Sequence, residues 1–172
     1  MSRSPLSLVA LILPACAAQA AELSVSVEIP RLDVAEYHRP YVAAWVERPD
    51  RSVAAQLAVW YQQSESREGH GTKWLPDLRQ WWRRGGRQLD VPVDGVTGAT
   101  KAPGTHTLRF GAGSQAVAAL APGSYVLLVE ASREVGGREL LQIPFEWPAD
   151  EARTLDARGE HELGTVSLEL VP

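Results

Sequence analysis

The chain has 172 residues, 45% hydrophobic and 22% charged, with Lys+Arg 17 against Asp+Glu 21 for a formal net charge of −4. That is ordinary globular usage rather than a disordered or fibrous chain, and the lack of a basic excess argues against a nucleic-acid partner. The one cysteine, Cys16, lies in the leader, so the domain beyond it holds no intrachain disulfide, thiolate zinc site, c-type haem attachment or cysteine nucleophile.

Residues 1–20 read as an export signal, with Arg3 as the positive n-region, Leu6 to Leu13 as the apolar h-region and Ala18-Gln19-Ala20 as a small-x-small cleavage site. The apolar run is far shorter than the roughly 20 residues a membrane-spanning helix needs. Cleavage after Ala20 predicts a periplasmic or otherwise extracytosolic domain over residues 22–172. An alternative takes Leu13-Pro14-Ala15-Cys16 as a lipoprotein box with Cys16 acylated, although proline is unusual there.

From residue 22 the dominant pattern is alternation, the period of half-buried strands. Leu23 to Ile29 alternates cleanly and ends at Pro30. Tyr41 to Glu47 and Val53 to Tyr61 flank Arg48-Pro49-Asp50-Arg51, a hairpin-like connection. A polar, glycine-containing loop follows over 65–72. Leu75 to Arg84 then has the grammar of a short helix: Pro76 and Asp77 in the first turn, Arg83 and Arg84 in the last, Gly85-Gly86 beyond. Trp74, Leu78, Trp81 and Trp82 fall on or near one side, so the helix is expected to lie against a sheet. Thr107 to Phe110 is a short strand candidate. Ser124 to Glu134 and Arg138 to Trp147 flank Gly136-Gly137, a pair suited to a type I′ hairpin turn with positive φ at both centres. Gly164 to Val171 closes the set. About seven strands and one short helix predict an all-β fold, an antiparallel β-sandwich of immunoglobulin-like outline.

Between helix and strand lies Val93-Asp94-Gly95-Val96-Thr97-Gly98-Ala99-Thr100-Lys101-Ala102-Pro103-Gly104. Its glycines and proline predict a mobile or extended surface loop over 94–104. Gly98 and Ala99 offer no bulk against close approach, and Thr100 presents a hydroxyl. Such a segment suits insertion into another enzyme's active site, with Thr100 as the reacting group.

Asp94-Gly95-Val96-Thr97-Gly98-Ala99-Thr100 resembles the flavinylation motif of extracytosolic flavoproteins: Asp, two variable residues, Ser/Thr, Gly, Ala and Ser/Thr. In those families an FAD:protein FMN transferase moves FMN from FAD onto the last Thr or Ser. The resemblance implies covalent FMN on Thr100 through a phosphoester bond, with Asp94, Thr97, Gly98 and Ala99 as recognition determinants. Chance places such a match in roughly one chain of this length in a thousand. The mature chain also resembles the DUF2271 family of predicted periplasmic proteins, through Tyr41 to Glu47, Trp60-Tyr61, Gly71 to Pro76 and Thr97 to Thr100. Some members are thought to be flavinylated partners of PepSY-type membrane electron-transfer proteins.

Other residues bear on that expectation. Between Lys73 and Lys101 six cations (Lys73, Arg79, Arg83, Arg84, Arg87, Lys101) face three anions (Asp77, Asp90, Asp94), a positive neighbourhood suited to a phosphodiester. Trp74, Trp81 and Trp82 are candidates either for stacking on a flavin or for filling a core, whereas Trp45 and Trp60 sit inside strand patterns and read as core. His38, His70, His106 and His161 show no helical ligand spacing, and no nucleophile elbow or phosphate-binding glycine loop is present. The leading expectation is therefore an exported electron-transfer flavoprotein, a redox carrier more than an enzyme. Its rivals are a non-enzymatic periplasmic binding or accessory module with a structural loop at 94–104, and a metal-site accessory protein built on the histidines.

Overall fold

The computed structural model describes residues 21–65 and 69–172, and the export signal with Cys16 lies outside the described residues. Nine strands form two sheets: β1 (Glu22–Ile29), β2 (Tyr41–Glu47), β3 (Val53–Tyr61), β4 (Thr97–Ala99), β5 (Gly104–Phe110), β6 (Gly123–Ser132), β7 (Arg138–Trp147), β8 (Arg153–Arg158) and β9 (Thr165–Val171). The four-stranded sheet has the order β5-β1-β9-β8 and the five-stranded sheet β4-β3-β2-β6-β7. The expected all-β sandwich is the observed architecture. Its pairings are antiparallel except for β4, which runs parallel to β3.

The two sheets differ in how their strands are buried. In β1 only Leu23, Val25, Val27 and Ile29 are buried, as alternation requires when the outer face is solvated. In β2, by contrast, Val42 to Glu47 are all buried. Val42, Ala44 and Val46 join the core between the sheets, while Ala43 and Trp45 join a second cluster on the outer face with Leu75, Leu78 and Trp81. That outer layer is the predicted helical segment. It is built as a 3-10 stretch, Gly71–Asp77, followed by α1 (Arg79–Arg84). The single helix expected over 75–84 is interrupted at Leu78, whose backbone leaves the helical region (ψ 71) while its side chain becomes fully buried.

A register shift between Ala44 and Trp45 leaves Leu57 unpaired, because Ala44 opposes Ala58 while Trp45 opposes Gln56. This bulge reverses the facing of β3 beyond it. Trp60 therefore points between the sheets and Tyr61 onto the outer face.

Three local expectations are corrected. The hairpin joining β6 to β7 exists, but its positive φ falls on Val135 (φ 52) rather than on Gly136 and Gly137. Those glycines serve close approach: a Cβ on Gly136 would meet the Arg133 guanidinium at 2.5 Å, and one on Gly137 would meet Glu162 at 3.0 Å. The strand expected at Thr107 begins at Gly104. Strand β8 and the short helix α2 (Gln115–Ala118) had not been predicted; β8 is a charged, mostly exposed edge whose sequence carries little apolar pattern.

Candidate functional site

The 94–104 segment is ordered by three local devices rather than forming a loose loop. Asp94 and Gly95 (φ 73) occupy the centre of a turn closed by Val96 N–H to Val93 C=O at 3.1 Å. The Thr97 hydroxyl accepts from Val93 N–H at 2.8 Å, locking the turn to the strand that follows. Thr97, Gly98 and Ala99 then pair in parallel with Val59, Trp60 and Tyr61 as an edge strand. Gly98 lies against Trp60, where a Cβ would come within 3.1 Å of the indole Cδ1.

Residues 100–103 carry the chain from the edge of the five-stranded sheet to the edge of the four-stranded one. That connection is itself pinned. His106 Nε2 lies 2.8 Å from the Ala102 carbonyl oxygen, and its ring meets Trp60 edge-on at 5.8 Å. The Lys101 ammonium sits over the same indole at 5.4 Å. Thr97 and Gly98 thus have structural roles. Asp94 is exposed, and neither its carboxylate nor the Thr100 hydroxyl hydrogen-bonds to any described residue.

Thr100 lines a cavity of about 670 Å³ at one end of the five-stranded sheet. Its other walls come from Tyr37 to Arg39 and Tyr41 before and at the start of β2, Gln62 after β3, Trp74, Asp77 and Arg79 in the outer layer, and the β6–β7 hairpin. The pairings Tyr41 with Ser132 and Tyr61 with Ala99 bring these distant segments to the same end. A volume of this size is within the ~300–1,000 Å³ typical of small-molecule and cofactor sites.

One buried and one half-exposed ion pair fix the walls. Arg133 donates from Nε and Nη2 to both Glu162 oxygens (2.8 and 3.1 Å), and the two side chains are 7% and 4% exposed. Arg138 donates to Glu130 at 2.9 Å, and Glu130 also accepts the free N–H groups of Gln80 and Trp81 at the start of α1. Arg39 and Arg79, in contrast, form no ion pair among the described residues. His38 lies between Glu36 (3.1 Å) and Glu134 (3.5 Å). Burial pushes the Tyr37 and Tyr41 hydroxyls above the usual tyrosine range, so both are protonated at neutral pH. The Tyr37 hydroxyl is occluded and has no hydrogen-bond partner among the described residues, a deficit worth about 1–3 kcal/mol that a bound polar group would relieve.

Only part of this assembly follows the expected charge and aromatic pattern. Of the six cations between Lys73 and Lys101, only Arg79 lines the cavity, and Arg84 is paired with Glu47 at 3.2 Å. Of the three candidate tryptophans, Trp81 is fully buried and donates to Gln56 at 2.9 Å, whereas Trp74 is 40% exposed and lines the cavity. Tyr37, His38, Arg39 and the hairpin had not been expected at the site; only the strand order brings them to it, and no local pattern signals that. Among the described residues no three His, Cys, Asp or Glu side chains gather as a metal-binding group, and no helix is long and apolar enough to cross a membrane.

Comparison with known families matches residues 22–165 to a family described as "Predicted periplasmic protein (DUF2271)". Neither the curated proteins nor the solved structures contain a match to the chain. The matched span takes in the five-stranded sheet, the four-stranded sheet up to the start of β9, the outer layer and the Thr100 segment, and on that ground the chain belongs to the DUF2271 family of predicted periplasmic proteins.

Proposed function

We infer that the protein is an extracytosolic electron-transfer flavoprotein carrying FMN covalently on Thr100. The observation that supports this most is the position of Thr100: the last residue of the Asp94–Thr100 motif stands at the wall of a cavity of about 670 Å³, and its hydroxyl makes no hydrogen bond to a described residue. In the transfer, the Thr100 oxygen bonds to the FMN phosphorus and the pyrophosphate bond of FAD breaks. AMP leaves, and the hydroxyl proton passes to a base of the FAD:protein FMN transferase. Asp94, exposed at the turn, and Ala99 are open to that enzyme, whereas Thr97 and Gly98 hold the segment extended.

The residues present fit a phosphorylated planar group. Arg39 and Arg79 bring uncommitted positive charge, Trp74 an exposed indole, and the Tyr37 hydroxyl an unsatisfied polar atom. A flavin held there supplies reversible electron transfer, while the protein supplies position and electrostatics. Electrons would enter from a membrane partner of the PepSY type. Covalent attachment suits this compartment because a dissociable cofactor would be lost by dilution.

Co-expression of the protein with an FAD:protein FMN transferase tests the reading. The wild-type chain is expected to gain the mass of one FMN and to retain flavin fluorescence after denaturation, and Thr100→Ala to show neither. The structural duties of Thr97 and Gly98 favour a second reading, an accessory module whose 94–104 segment serves the fold alone. An unmodified wild-type chain beside an active transferase would establish that reading instead.

A further inference from the structure

We propose that the cavity is a docking site for a planar aromatic anion in its own right, with Trp74 as the stacking surface and Arg39 and Arg79 as the charge. A flavin borne by Thr100 therefore rests against the domain rather than swinging on its connection. This deepens the covalent reading given above, but only the link through Thr100 depends on it, since the cavity's affinity for the ring does not.

Trp45, Trp60, Trp81 and Trp147 are buried in the two cores, and Trp82 is partly covered. Trp74 alone is an exposed large indole, and it stands on the cavity that contains Thr100. Its support is rigid. Leu75, the next residue, is buried against the sheet, and Tyr41 donates to the Gly71 carbonyl at 3.1 Å. A Cβ on Gly71 would collide with the Gln62 carbonyl oxygen, so the 3-10 stretch is seated directly on the end of β3. An aromatic platform held this way loses little freedom when a ring stacks on it. Lys73, outside the cavity lining, places its ammonium 4.6 Å from the Trp74 ring centroid and covers one face of the indole.

Lys101 and Ala102 are pinned by Trp60 and His106, so Thr100 is fixed at the cavity wall, and a group on its side chain begins its path there. A ring on a short phosphodiester from this point is at high local concentration over Trp74, which favours docking even when affinity for the free ligand is modest.

The experiment uses the full chain in two forms. In the first, unmodified Thr100→Ala protein is titrated with free FMN and with riboflavin, reading flavin fluorescence and anisotropy. FMN is expected to be quenched and immobilised. Trp74→Ala in that background should weaken FMN by roughly tenfold, the size of one stacking contact. Trp74→Phe should recover part of the loss, and Arg79→Ala should weaken FMN but leave riboflavin unchanged. In the second, flavinylated wild-type protein should show low native fluorescence and slow anisotropy decay. The Trp74→Ala variant should gain the same FMN mass yet fluoresce as brightly as the denatured chain. Full flavinylation with a bright, freely rotating wild-type flavin would overturn docking while leaving attachment intact. Free FMN binding without any mass gain would support docking and overturn attachment, and neither binding nor mass gain would overturn both.

Discussion

Single side chains in this protein divide into those the fold uses and those it leaves available. Thr97 closes a turn and Gly98 fits under an indole, so a sequence motif alone cannot separate recognition from folding at these two positions. Asp94 and Thr100 have no such duty, so packing does not account for these two residues. The clearest structural carboxylate is Glu139, which accepts the backbone N–H groups of Glu160, His161, Glu162 and Leu163 at 2.7 to 3.1 Å. Burial works to raise its pKa, but these four bonds together outweigh it and the net shift is downward. A folded value below the unfolded one means the native state binds fewer protons in that interval. The stabilisation is therefore complete above the unfolded value of about 4.3 and fades as pH falls through the folded value. Glu139→Gln should cost about 1–3 kcal/mol at pH 7, with a smaller gap from wild type in acid, as urea unfolding at both pH values will measure. A gap of equal size in acid would mean that the carboxylate charge is not its source.

Among elements, the β6–β7 hairpin shows what pattern reading reaches and where it stops. Alternation and the Gly-Gly pair located the hairpin correctly, because strands and turn compositions are local properties. The turn geometry was misread because Gly136 and Gly137 answer to Arg133 and Glu162, the latter 25 residues beyond Gly137 in sequence. Gly136→Ala should accordingly act through packing. It is expected to destabilise by about 1–3 kcal/mol, with Gly137→Ala milder, in thermal or urea unfolding. For the 94–104 segment glycine and proline left a mobile or an extended loop open, and the extended form is the one present, held by a three-residue parallel strand and two contacts to Trp60. Strand β8 escaped notice because an exposed edge carries charge on both faces.

At the level of the whole molecule, alternation was legible in β1 and β9 of the four-stranded sheet, where one strand face meets water and the other the core, and the continuous apolar run of β2 marks the place where an outer layer covers the second face. Trp81 is the centre of that layer: fully buried, bonded to Gln56, and packed so closely on Gly86 that a Cβ there would lie 2.5 Å from the ring. Trp81→Ala should lower stability by about 3–5 kcal/mol, and because the layer also carries Trp74, it should disturb the cavity as well. Equilibrium unfolding with near-ultraviolet circular dichroism will read both effects. What no local pattern supplied was the convergence of five segments at one end of the sheet, which follows from strand order alone.

The loops at that end are clasped by acids. Glu28 holds Thr165 N–H, Glu130 the start of α1, Glu139 the 160–163 bend, and Glu162 both Arg133 and Gly137. With no cysteine beyond residue 16, these clasps do the work that sulfur bridges do in many exported domains. A carboxylate clasp neither takes up nor gives away an electron. The scaffold thus stays indifferent to the potential around it, and strong reductants such as dithionite or dithiothreitol leave its fastenings shut.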